Sequence, residues 1–373
     1  VSNRRVATHP CLVVCPPGLE SVVSDELADL GIRTVRSSKG SVSADMTTRQ
    51  LYAANVFLRC ATRVLVRVAG FTVRTFADLE RRIGEVDWDH WIGAGDSPRF
   101  RVTTRSSELW HDGAVAQRFG AVLGPPVEGA REQLVVVRAV NDRFTVSVDS
   151  SGAPLHERGW RQAIAKAPLR ESVAAGLLVA AGWDPTTPLV DPMCGSGTIA
   201  IEAALLAGGV APAAGRELAF RFWPGFEPGT WASVAAEIQR RRTDAADPPP
   251  IVAVDRDAGA VDSARANAER AGVADLIEWR NAPIAELERP EGTDGRPGLL
   301  VANPPWGGRL AGGDLRNLYA TLGQVASAGF AGWSLGVLVA DRTLARQVRP
   351  GLTEALQLDL GGRRAWFLTG RLR

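Results

Sequence analysis

Asn303-Pro304-Pro305-Trp306 is the segment of this 373-residue chain whose side chains point most directly to a reaction. It follows a short apolar run, Leu299–Ala302, that reads as a strand. An exocyclic amino nitrogen on a nucleobase is a poor nucleophile, because its lone pair is delocalised into the ring. Acceptors aimed at its two hydrogens favour a pyramidal nitrogen whose lone pair can attack, and the Asn303 side-chain carbonyl and the Pro304 main-chain carbonyl are such acceptors. Pro304 and Pro305 fix the loop and add no competing N–H. Trp306 offers a flat face for an extruded base, a contact worth about 1–3 kcal/mol per base. No general base is needed, since the proton can leave after the new bond to nitrogen has formed, and alignment is the main catalytic contribution. The plain alternative is an ordinary strand-ending turn; the surrounding residues argue against it.

Asp191-Pro192-Met193-Cys194-Gly195-Ser196-Gly197-Thr198 stands between an apolar strand and a helix that starts near Thr198. Such a Gly-rich turn holds either a pyrophosphate at the helix amides or the methionine portion of S-adenosylmethionine. A dinucleotide site calls for a third glycine where Ala200 stands, and Asp191 would repel a pyrophosphate. A sulfonium ligand with an ammonium group tolerates Asp191, whose plain alternative is to cap the turn. Asp255 closes the strand Ile251–Asp255, where a carboxylate can accept both ribose hydroxyls. Asn281, after the next strand, can face the adenine; the spacing alone fits an ordinary loop Asn equally well.

These positions need strands that end at a common edge. From Leu189 onward strands alternate with helices: Leu189–Asp191, helix Thr198–Ala207, Ile251–Asp255, helix Ala260–Ala271, Leu276–Arg280, Leu299–Ala302, helix Leu315–Ala328 and Leu335–Ala340. That alternation predicts a doubly wound parallel sheet. Ala355–Leu360 and Arg364–Leu372 flank Gly361-Gly362 and read as a closing antiparallel hairpin, the known shape of class I methyltransferases. Residues 208–250 are the least regular stretch, and Phe220, Phe222, Trp223, Phe226 and Trp231 are expected to pack over the sheet. The first half reads as α+β: helix Leu19–Leu30, strands Ile32–Arg36 and Ser41–Asp45, helix Leu51–Cys60, strand Thr62–Ala69 and helix Phe76–Ile83. Strand Phe100–Thr104, helix His111–Leu123 and a hairpin of Leu134–Val140 and Phe144–Val148 around Asn141-Asp142 follow. The expected domains are 1–150, a connector at 151–170 and 171–373.

Composition is that of an ordinary globular protein, with 45% hydrophobic and 23% charged residues. Net charge is +2, but residues 1–170 hold 23 Lys and Arg against 18 Asp and Glu, while 171–373 hold 20 against 23. A first half facing nucleic acid fits this asymmetry, as does plain surface charge. Cys11, Cys15, Cys60 and Cys194 show no Cys-x-x-Cys spacing, so reduced thiols and no metal are expected. No long apolar run or leader pattern occurs, which suggests the cytoplasm and no membrane partner.

Together these residues resemble the THUMP-containing guanine-N2 RNA methyltransferases, above all the bacterial 23S rRNA branch, with the tRNA branch close behind. The resemblance covers most of the chain. It includes Gly18-Leu19-Glu20, the connector residues Leu155 to Arg161 and Ala167 to Glu171, Ile201 to Ala204, and Asn303 to Leu310. It implies a ferredoxin-like unit plus a THUMP domain that docks structured RNA, rRNA first and tRNA second, with S-adenosyl-L-methionine as cofactor and a monomer as the working state. By the same analogy Pro168 and Leu169 line the cofactor pocket. Arg105, Arg158 and Arg161 are candidate RNA contacts, with surface solvation as their plain alternative. Two positions depart from the pattern: Trp306 replaces a usual Tyr, and Asn281 a usual Asp. Some bifunctional relatives carry a second methyltransferase domain, for which 373 residues leave no room. The alternatives in order are tRNA guanine-N2 methylation, adenine-N6 methylation, which the same loop suits, and a catalytically silent ribosome-assembly factor. A nicotinamide dehydrogenase is disfavoured by the missing glycine.

Overall fold

The computed structural model describes residues 7–125, 127–162, 169–293, 295–306, 312–349 and 351–373. In the first half, strands β1 (His9–Val14), β2 (Thr34–Ser38), β3 (Ser41–Met46), β4 (Arg63–Thr72), β5 (Ser97–Arg105), β6 (Glu132–Val140) and β7 (Arg143–Asp149) form one sheet in the order β2-β3-β1-β4-β7-β6-β5. Helices α1 (Glu20–Asp29), α2 (Thr48–Phe57), α3 (Phe76–Gly84) and α4 (Asp112–Leu123) lie between them in sequence. Up to Thr72 the run is β-α-β-β-α-β, the ferredoxin-like arrangement. β1 was not among the expected strands; Pro10 near its start weakens the pattern although the strand lies inside the sheet. A capping box starts α2 three residues before the expected Leu51. Thr47 Oγ1 accepts from the Gln50 N–H, and the Gln50 side chain accepts from the Thr47 N–H. Asn141 and Asp142 adopt φ of 51° and 63°, the geometry of a tight hairpin turn between β6 and β7. Leu79, Ile83, Val115 and Phe119 of α3 and α4 cluster with Val135, Val137, Phe144 and Val146, so these helices cover one face of that part of the sheet.

The second sheet contains β8 (Leu189–Asp191), β9 (Ile251–Asp255), β10 (Ile277–Asn281), β11 (Leu299–Ala302), β12 (Ser334–Val339), β13 (Thr353–Leu360) and β14 (Arg363–Arg371), in the order β10-β9-β8-β11-β12-β14-β13. β8 to β12 pair in parallel; β14 runs antiparallel to both β12 and β13. The expected doubly wound sheet with a closing hairpin is therefore present. Continuous burial along β9, β11 and β12 is what helices on both faces require. The helices are α5 (Glu171–Ala180), α6 (Thr198–Ala207), α7 (Pro228–Thr243), α8 (Ala258–Ala271), α9 (Gly312–Gly329) and α10 (Arg342–Val348). Tyr319, Leu322, Phe330 and Trp333 are fully buried with Val190, Val252, Leu300 and Val337.

The chain divides into two compact units that are each discontinuous: residues 1–15, 24–155 and 215–236, and residues 16–23, 156–214 and 237–373. A single boundary between 150 and 170 does not express this. The aromatic stretch expected over the parallel sheet packs in the first unit instead, where Phe220 stacks on Tyr52 at 4.2 Å and Trp223 meets Trp91 edge-on at 4.9 Å. Trp223 Nε1 also donates to Gln133 Oε1 at 2.8 Å. Nor is 208–250 irregular throughout, since α7 takes up 16 residues of it. In the second unit Gly18, at φ 102°, presses against the Gln357 carbonyl, which a Cβ would approach to 2.0 Å, and Leu19 fills the space left by Gly176. The Gly18-Leu19-Glu20 motif is thus a packing device. All four cysteines are buried, and none forms a disulfide.

Candidate active site

Parallel pairing brings the expected residues to one edge. Asn281 lies opposite Asp255 at the ends of β10 and β9, Asp191 ends β8 opposite Ala253, and Asn303 follows β11. These are four adjacent strands, and the sequence order reverses between β8 and β11, the place where doubly wound sheets open a crevice at their carboxyl ends.

The turn after β8 is held from below. The Met193 N–H donates to Asp191 Oδ1 at 3.3 Å, the Cys194 N–H to the Val254 carbonyl at 2.9 Å, and the Gly195 N–H to Asp255 Oδ2 at 2.9 Å. Gly197 takes φ 81° as the residue before α6, and a Cβ there would stand 2.9 Å from Ala264 Cβ. Its role is close packing against α8, while Pro192 and Thr198 are buried beside it and Met193 leans on the core. Asp191 is 1% exposed, and burial pushes its carboxyl up to about 8, with the negative charge of Asp255 adding to the rise. Burial thus favours the neutral acid, and an arriving cation would favour the carboxylate. Burial also raises the Cys194 thiol, so that it stays protonated.

Asp255 Oδ1 accepts from the Asp257 N–H at 3.0 Å, and each oxygen keeps a lone pair for a ligand hydroxyl. Asn281 Nδ2 donates to the Asp255 main-chain carbonyl at 2.9 Å. That bond fixes the amide orientation and leaves Oδ1 as the free end of an exposed side chain. Asn303 Oδ1 and Trp306 Nε1 are both buried, and among the described residues neither has a hydrogen-bond partner. Beneath them the fully buried Tyr319 of α9 directs its hydroxyl to the Pro305 carbonyl at 3.5 Å. Pro304 is buried and Pro305 exposed.

The connector arginines are occupied. Arg158 Nε donates to Glu202 Oε1 at 3.3 Å with 2% of its side chain exposed, so the expected RNA contact gives way to an internal ion pair with α6. Arg161 donates to Glu171 Oε1 at 2.9 Å, to the Leu169 carbonyl at 2.7 Å and to Thr198 Oγ1 at 2.9 Å. Through Nε and Nη2 it ties the connector to the start of α6, and 13% of its side chain is exposed. Leu169 is half-buried there, Arg105 is exposed at the end of β5, and Pro168 lies outside the described residues. Asn267 went unnoticed in the sequence. Fully buried in α8, it donates from Nδ2 to the Ser196 carbonyl at 3.1 Å, and its Oδ1 accepts from the Gln162 N–H at 3.3 Å. An Asn inside an alanine-rich helix, where its propensity is poor, was the available signal. Among the described residues no group of His, Cys, Asp and Glu could hold a metal ion, and no helix is long and apolar enough to cross a membrane.

The comparisons fit this geometry. Residues 158–358 match the family model described as RMKL-like, methyltransferase domain, and residues 11–65 that of the RlmL ferredoxin-like domain. Ribosomal RNA large subunit methyltransferase K/L of Chromohalobacter salexigens is 35% identical over 361 residues, covering 89% of this chain and 48% of that protein. The "Putative RNA methyltransferase slr0064" of Synechocystis sp. is 29% identical over 370 residues, covering 95% of this chain and 94% of that one. A solved structure from Listeria monocytogenes, described as a "predicted N6-adenine-specific DNA methylase", gives a TM-score of 0.85 at 28% identity and covers 97% of this chain and 96% of its own. The chain spans about half the length of the K/L relative.

Proposed function

This chain belongs to the RMKL-like methyltransferase family, whose members use S-adenosyl-L-methionine as methyl donor, and we propose that it methylates the exocyclic N2 of a guanine in large-subunit ribosomal RNA. The observation that carries the reading is that Asn303 Oδ1 and Trp306 Nε1, in the segment after β11, are buried and have no hydrogen-bond partner among the described residues. A buried carbonyl without a partner costs about 1–3 kcal/mol. A substrate amine that supplies the missing hydrogen recovers this, which favours binding in the one orientation that exposes the nitrogen lone pair. When bound, the cofactor would supply a methyl group whose bond to the sulfonium sulfur breaks as the new N–C bond forms, the sulfur leaving as a neutral thioether. Asp191 to Thr198 would cradle its methionine end, Asp255 would accept from its ribose, and Asn281 Oδ1 would meet the adenine amine. Asn303 and Pro304 carbonyls hold the two hydrogens of the target amine, and Trp306 stacks on the base. The proton leaves to solvent after the new N–C bond forms.

Ribosomal RNA as substrate is supported by the name of the K/L relative. In the proposed organisation residues 1–150, to which 215–236 return, are the ferredoxin-like and THUMP region that docks RNA, 151–170 the connector and the rest of 171–373 the methyltransferase domain, working in the cytoplasm. Adenine N6 is the second reading, favoured by the description of the Listeria structure and by a loop indifferent to which planar amine it holds. The deciding experiment is tritium transfer from labelled cofactor to separately purified, unmodified 23S rRNA, 16S rRNA and tRNA, with nucleoside analysis. N2-methylguanosine in 23S rRNA is the expected product. Label in tRNA would reassign the substrate, N6-methyladenosine would establish the second reading, and cofactor binding without transfer would make the chain a binding factor.

A further inference from the structure

The positive excess of the first half has a definite address. Alternation along β4 to β7 sends one set of side chains under α3 and α4 and the other outward. On the outward face the pairing register sets Arg101 opposite Val136, Val136 opposite Ser147, and Ser147 opposite Arg67. Thr103 lies opposite Arg138, and Arg105 opposite Val140, which in turn faces Arg143. Arg67, Arg101, Arg105, Arg138 and Arg143 therefore stand in three rows across the adjacent strands β4, β7, β6 and β5, and all five are exposed.

Among the described residues none of these five guanidinium groups has a carboxylate partner. Other arginines of the same unit are paired: Arg63 with Asp149, Arg74 with Asp142, Arg118 with Glu80 and Arg131 with Asp96. Glu132, at the foot of the face, is taken up by Arg99. Surfaces ordinarily intersperse both signs, so five uncompensated arginines on one sheet face form a field suited to a polyanion. Strand spacing puts Arg105 and Arg143 about 10 Å apart, and four residues of rise put Arg101 and Arg105 about 13 Å apart. A patch extended in both directions suits phosphates on two strands of a folded helix better than one extended strand, and the guanidinium fork matches phosphate oxygens.

We propose that this outward face of β4, β7, β6 and β5 is where the sugar-phosphate backbone of a folded RNA helix docks. The proposal rests on the reading of RNA as substrate, and it places the main phosphate contacts on the sheet rather than on the connector arginines.

The test compares two double variants of equal charge change. Arg101→Glu with Arg105→Glu alters the face; Arg81→Glu with Arg82→Glu alters α3, whose arginines are paired with Glu85. RNA affinity of the full chain is measured by filter binding to 23S rRNA fragments over a range of salt, alongside cofactor affinity and melting temperature. The face variant should weaken RNA binding tenfold or more, with a log-log salt slope shallower by about 2, and leave cofactor affinity unchanged. The α3 variant should stay within about threefold of the parent. If the glutamates unfold the chain, Arg101→Gln with Arg105→Gln serves instead, with the same expectation for the slope. Equal losses from face and α3 variants, or an unchanged affinity and slope for the face variant, would overturn the proposal. A parent chain that binds RNA through this face yet transfers no methyl group would support the docking surface and defeat the enzymatic reading instead.

Discussion

Gly195 donates its main-chain N–H to Asp255 Oδ2 at 2.9 Å, so the turn after β8 and the acidic end of β9 are held as one piece. The carboxylate proposed to receive the ribose is thus bonded to the loop proposed to receive the methionine.

Asp255→Asn therefore removes a charge-assisted acceptor from both. Such bonds contribute about 1.5–3 kcal/mol. Cofactor affinity measured by calorimetry should fall by about 10- to 150-fold, while turnover at saturating cofactor stays within a few-fold. An affinity within twofold of the parent would show that the ribose is held elsewhere.

Asn303→Ala should behave in the opposite way. In the proposed site this side chain meets the target amine and not the cofactor, so turnover should be lost while cofactor affinity stays near normal. Trp306→Ala should raise the KM for RNA, and Trp306→Tyr, which restores a stacking ring, should return it toward the parent value. Loss of cofactor binding in Asn303→Ala would contradict the assigned division of labour.

Asp191 gives the stability a pH signature. Its carboxyl rises from 3.8 to about 8 in the folded chain, mainly through burial. Between those values the folded state carries a proton that the unfolded state lacks, so this group's contribution to stability falls as pH rises and levels off above about 8. Asp191→Asn lacks that loss. The melting temperature of the variant relative to the parent should climb steadily from pH 5 to about pH 8. Asp149, which burial raises to about 6 despite Arg63, titrates in both proteins and cancels in the comparison. Parallel melting curves across this range would show that Asp191 titrates normally.

Gly197→Ala forces a Cβ into a left-handed conformation and to 2.9 Å from Ala264 Cβ and 3.2 Å from the Trp279 ring. A cost of about 2–3 kcal/mol is expected from the backbone strain and overlap combined. Urea denaturation gives the number directly, and a loss below half a kcal/mol would mean that α8 can move aside.

The second unit was largely legible because its signals are local. Leu189–Asp191, Thr198–Ala207, Ile251–Asp255 and Leu299–Ala302 begin and end where the apolar runs and glycine turns placed them. Site residues at strand ends follow from those boundaries. What stayed hidden depends on partners distant in sequence. Arg158 reads as a surface cation until Glu202, 44 residues on, appears beside it, and Asn267 has no visible purpose without the Ser196 carbonyl. β1 was masked by Pro10, and the destination of Phe220 and Trp223 could not be read because stacking partners such as Tyr52 leave no periodic trace.

The return of residues 215–236 to the first unit also sets a timetable for biosynthesis. As the chain leaves the ribosome, Tyr52 and Gln133 emerge long before Phe220 and Trp223, the side chains that stack on the one and hydrogen-bond to the other. Nascent domains generally mature as units from the amino end. Here the first unit must wait, incomplete, until the glycine turn and α6 of the second have already been translated.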